Sequence, residues 1–237
     1  KSNQESNDKS MRKKAHQLQV VVKNREIRKN LTSRLIEKKP DLIKGLVELH
    51  LQWFDEDNES TVLDAWKKFY NLTEEWKADT IEDLSEMMKN IGMEIGEFDE
   101  FRSDDYCIGE IVSAKTGADF LLCGIARILA RNAGWEPSII ATDTGFCIYD
   151  DNKNVGSFPT KKWTCVEYNI RQNVKRWSDA MLLKLAANSM FFCAIVHGNI
   201  RYSYMIGSCL SESIGTKDVF SVLPYPMGDG CLVSGNI

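Results

Sequence analysis

Three residues have types that nucleophilic chemistry uses. Cys123 stands at or near the start of a predicted helix, where the helix dipole lowers a thiol pKa and raises its thiolate fraction. His197 falls in a predicted hairpin turn, and Asp229 supplies a carboxylate able to orient an imidazole. The order Cys, His, acid is one that cysteine hydrolases use, with the imidazole as base. The flanking residues favour a different role for the thiol. Leu121 and Leu122 precede Cys123 and an apolar helix follows it. A buried, inert cysteine is therefore the stronger reading.

Phosphate neutralisation is the second chemistry. Arg12, Lys13, Lys14, Arg25, Arg28 and Lys29, with Lys23, Arg34, Lys38 and Lys39, sit on one predicted helix. Such cations hold nucleic acid by displacing counterions, without regard to sequence. Lys161, Lys162, Arg171, Lys175 and Arg176 form a second group, interleaved with Trp163 and Trp177. Aromatics among cations can stack bases while the cations hold the backbone, although amphipathic tryptophans more often pack. Single-stranded RNA is the nucleic acid this pattern suits.

Metal and cofactor chemistry find no pattern. The three histidines, His16, His50 and His197, have no partner at ligand spacing, and the seven cysteines form no C-x-x-C pair. Asp150-Asp151-Asn152 resembles a fragment of a calcium loop but lacks its glycine and distal glutamate. No cofactor or metal is expected.

These residues need elements to position them. Charge divides the chain into three segments. Residues 1–39, a basic helical arm, hold 12 Lys/Arg against 4 Asp/Glu; residues 40–105 form an acidic helical segment; residues 106–237 form a compact mixed region. Over residues 41–110, 20 acids face 6 bases, so arm and segment are suited to attract one another. Residues 1–9 read as disordered. From Met11 to Lys39 an imperfect apolar stripe of Leu18, Val21, Val22, Leu31, Leu35 and Ile36 predicts a helix that Pro40 ends.

Asp41 caps the next predicted helix, Ser60 the one after it, and Thr80 with Asp83 a third. Ala118–Ala133 reads as a buried helix closed by Gly134. Residues 138–142, 145–149 and 155–158 read as strands, and 168–187 as helix. Runs 191–196 and 200–206 flank His197-Gly198-Asn199 as a hairpin. The fold class is α+β and helix-rich, with a helical N-terminal half and a mixed C-terminal half containing short β-hairpins.

An odd number of cysteines in apolar surroundings points to an intracellular, reducing compartment, most simply the cytoplasm. The longest apolar runs, near eight residues, predict no membrane partner. The preferred function is non-enzymatic: an assembly or RNA-binding protein that self-associates. Size, charged arm and want of a catalytic motif place it in the broad kind that includes viral nucleocapsid proteins. A cysteine hydrolase using Cys123 and His197 is the first alternative, and a scaffold that binds only protein the second.

Overall fold

The computed structural model describes residues 2–54, 56–96, 102–169 and 174–216, and excludes the side chains of residues 2–10, 13, 16, 17 and 20. Helix α1 spans Ser2–Ile36, so the expectation of an unstructured 1–9 gives way to helix from Ser2 onward. Among the described side chains, its buried ones lie in the C-terminal third. Ile27, Leu31 and Leu35 recur at i, i+4 and i+8 and are buried, which puts one stripe of α1 against the body. Each such side chain contributes about 1.5–3 kcal/mol on burial. Arg34 donates to the Glu48 carboxylate at 2.9 Å beside them.

Helix α2 spans Leu42–Trp53 and begins where Asp41 accepts from the Lys44 amide at 3.1 Å. Helix α3, Glu59–Asn71, follows Asn58 rather than the expected Ser60 cap. Helix α4 spans Ile81–Ile91, and the Thr80 hydroxyl accepts from the Asp83 amide at 3.2 Å, as its spacing predicts. A short parallel pair joins β1 (Glu94–Ile95) to β2 (Thr116–Gly117), with α5 (Ile108–Ala114) between them. Helix α6, Asp119–Asn132, ends ahead of Gly134, whose positive φ of 95° closes the turn.

The sheet is an antiparallel meander of β3 (Ser138–Thr142), β4 (Gly145–Asp150), β5 (Val155–Phe158) and β6 (Thr164–Glu167). Ile139 pairs with Ile148, Ile148 with Ser157, and Ser157 with Cys165. That row faces α4, where the Ser85 hydroxyl donates to Ser157 at 2.6 Å. The opposite face holds Ile140, Cys147, Tyr149 and Phe158 in a small second core against Tyr168 and Val174.

Residues 179–213 correct the sequence reading. The expected hairpin of 191–196 and 200–206 is the end of helix α7 (Asp179–Val196) and the start of helix α8 (Ile200–Ser213). His197-Gly198-Asn199 serves a helix–turn–helix just as well. Gly198 takes a φ of 65°, and the Asn199 side chain accepts from the Tyr202 amide at 3.2 Å. Helix expected from Tyr168 starts only at Asp179. By length and hydropathy α7 is the one described helix able to cross a membrane. Its Leu182, Leu183, Ala186 and Met190 instead join the main core.

That core runs from Ile27 to Leu210 and draws on all three charge segments. A buried ion pair fastens its sheet side. The Arg127 guanidinium of α6, 4% exposed, donates to the Trp177 carbonyl at 2.5 Å and to the Asp179 carboxylate at the start of α7. The Trp177 amide in turn donates to the Ile139 carbonyl of β3 at 2.8 Å. Removing one partner strands a buried charge, which costs about 3–5 kcal/mol, whereas an apolar pair of similar volume is tolerated. Asp179→Ala is expected to lower unfolding stability by about 3–5 kcal/mol in urea titration, and Arg127→Met with Asp179→Leu to recover most of it.

Candidate functional site

Cys123 lies in the second turn of α6 and is 0% exposed. Burial, then the Asp119 carboxylate, pushes its thiol well above the ordinary cysteine range. A nucleophilic thiol needs exposure and a lowered pKa, and Cys123 has neither. His197 caps the exposed C-terminus of α7, in a helix–helix turn rather than a strand turn. Asp229 lies outside the described residues. Among the described residues, therefore, nothing assembles a triad around Cys123, and no group of three or more His, Cys, Asp or Glu is placed to hold a metal ion.

The two cationic groups ride on different layers. Arg12, Lys14, Arg25 and Lys29 are exposed on α1 and Arg28 is half-buried; the Lys13 side chain lies outside the described set. Helix α1 packs mainly on α2 and α8, whereas the sheet packs on α4 and α6. In the second group Lys161 and Lys162 are exposed, and Arg171 lies outside the described residues. Lys175 sits over the Trp177 ring at 5.2 Å, and Arg176 is paired with the Asp151 carboxylate.

The tryptophans of that group pack. Trp163 is 1% exposed, and its indole Nε1 donates to the Met93 carbonyl at 2.7 Å. Trp177 is half-buried, edge-on to Phe146 at 4.9 Å. Stacking of bases on Trp163 is thus ruled out by its burial. Lys162 and Trp163 both take positive φ, 51° and 56°, a conformation that side chains resist. Lys162 is exposed at this turn, and Lys161, also exposed, places its Nζ over the Phe158 ring at 4.9 Å.

The least expected feature is on α1. The single apolar stripe read from sequence is two stripes. Leu31 and Leu35 face inward, while Leu18, Val21, Val22 and Ile36 are 59–65% exposed. Met11, Ala15, Leu18 and Val22 recur at i, i+4, i+7 and i+11, one continuous stripe, and all four are exposed. At 3.6 residues per turn this stripe lies nearly opposite Ile27, Leu31 and Leu35. Every described side chain from residue 11 to 22 is exposed. Periodicity showed that these residues share a helix; it did not show which face the body covers.

No family model, curated protein or solved structure matches the chain.

Cysteine labelling checks the reading of Cys123. Cys107, Cys123, Cys147, Cys193 and Cys209 are buried, while Cys165 is half-buried. Burial pushes the Cys147 thiol up to about 12 and, with nearby Asp105, the Cys193 thiol up to about 11. In the native chain iodoacetamide is expected to reach Cys165 before the buried five, and Cys123 only after denaturation. Rapid native labelling of Cys123 would restore the nucleophile.

Proposed function

We propose that the chain is a non-enzymatic assembly protein that associates with its own copies through the outward face of α1. One observation carries this. An anchored helix presents Met11, Leu18 and Val22, each 63–65% exposed, on the side away from its own body. A contiguous apolar stripe left open to water marks an interaction surface. Exposed Lys14, Arg25 and Lys29 run along it, and juxtaposed opposite charge speeds and orients association. The buried thiols of the core support an intracellular, reducing setting, most simply the cytoplasm.

A second reading, binding of single-stranded RNA, is favoured by the same α1 cations and by exposed Lys161 and Lys162. Phosphate contacts of this kind carry no base information. With the two groups on different layers, α1 alone would carry most of the contacts.

Light scattering on an eluting sample, with absorbance at 260 and 280 nm, tests both readings. The native chain is expected to show a mass above one chain. Leu18→Asp with Val22→Asp is expected to bring that mass to one chain with helix content retained. A native chain that stays monomeric at high concentration and low salt would overturn the proposal. If RNA binds, replacing Lys14, Arg25 and Lys29 with Ala should lower the salt slope by about 0.7 for each phosphate no longer neutralised. An unchanged slope would exclude α1 as the RNA surface.

A further inference from the structure

The outward stripe of α1 needs a receptor, and the acidic half of the chain supplies one. Where α3 ends, Leu72 and Trp76 stand 61% and 40% exposed. Trp76 borders a groove of about 470 Å³ that Tyr70, Thr73, Met87 and Leu129 also line. The groove lies between the end of α3, α4 and the end of α6. Buried Met87 and Leu129 lie at its base, and polar and apolar atoms line it in about equal measure. Glu74 and Asp79 line its rim with one cation, Lys77, and Glu75, Asp83 and Glu86 are exposed on the same stretch of chain.

We propose that this Trp76 groove receives the α1 stripe of a second copy of the chain. The inference rests on the self-association reading and names its other half. Two observations select the occupant. The first is charge complementarity: a cationic helix fits a groove whose rim is acidic and whose border carries exposed Trp76. The second is geometric. Helix α1 is continuous from Ser2 to Ile36 and is anchored on α2, α7 and α8. It cannot double back to a groove built by α3, α4 and α6 of its own chain. Its outward face points away from the body that holds it, and among the described residues no part of its own chain covers it. Amphipathic helices dock in grooves through anchors at this same i, i+4, i+7 spacing. An aromatic at such a contact carries a large share of the energy. Arm into groove is a heterologous contact, so reciprocal exchange closes a dimer and a one-way contact builds a string.

Sedimentation of the full chain and three variants tests the pairing. Groove reversal is Glu74→Lys with Asp79→Lys; arm reversal is Lys14→Glu with Arg25→Glu; the third variant carries both. All four residues are exposed, so the folded body is expected to survive, and an unchanged urea midpoint checks this. Each reversal alone is expected to raise the concentration for half-association by roughly tenfold or more, because like charges then face each other. The combined variant is expected to regain association within about threefold of native, since opposite charges face again. If arm reversal weakens association but groove reversal does not, the arm docks elsewhere, and this inference fails while self-association stands. A combined variant no better than either reversal alone also overturns it. A monomeric native chain would overturn the underlying reading itself.

Discussion

One helix can bury only one face against one body, and α1 has apolar residues on two. The inner stripe of Ile27, Leu31 and Leu35 joins the main core, and the Arg34–Glu48 pair at 2.9 Å ties the helix to α2 alongside it. Glu48 shows what this packing involves. Burial raises its carboxyl above the usual range even with the Arg34 guanidinium beside it. The outer stripe has no such cover from the described residues of its own chain. Water against Met11, Leu18 and Val22 is unfavourable by the same physics that makes Leu31 favourable in the core. Among the described residues, the outer stripe thus stays open to water while the inner one is packed.

The body beneath α1 is tied across its layers by polar groups as well as apolar packing. Arg127 joins α6 to the approach of α7, and the Trp177 backbone continues that link into β3. Asp119 does the same at the start of α6. Its carboxylate accepts from the Phe120 amide at 2.7 Å and from the Phe146 amide at 2.8 Å, joining helix start to sheet. His50, 1% exposed, lies 2.8 Å from the Asp57 carboxylate and against Gly109, where a Cβ would stand 2.7 Å from the ring. Each of these side chains has at least one polar partner, which offsets part of the cost of burying it, although His50 Nδ1 and Arg127 Nε are buried without one.

What the sequence made legible was local. Asp41, Thr80 and Gly134 mark helix ends because capping is decided within four residues. The sheet strands of 138–149 and their partner at 155–158 follow from β-branched and aromatic runs broken by turn residues. The helix-rich α+β class follows from these together. Misreadings arose where one local pattern serves two folds. His197-Gly198-Asn199 suits a hairpin or a helix junction, and only the packing of Phe191 and Ile206 in one core decides for helices. The candidate site was half legible. Arm cations and acidic segment are visible in composition, but the division of the α1 stripe is not. Neither is the Trp76 groove, because Tyr70, Met87 and Leu129 come from three helices. The burial of Trp163 depends on Met93, 70 residues away, and no spacing rule reaches that far.

Amide hydrogen exchange across residues 11–22, followed over a range of chain concentrations, tests most directly whether the outer face of α1 is an interface in solution. A helix turn exposed to water opens readily, whereas one held against a partner exchanges slowly. Protection of residues 11–22 is expected to rise with concentration, while the core segments of α2, α6 and α7 stay protected throughout. Exchange in residues 11–22 that is the same at every concentration, above an unchanged core, would contradict an interface there.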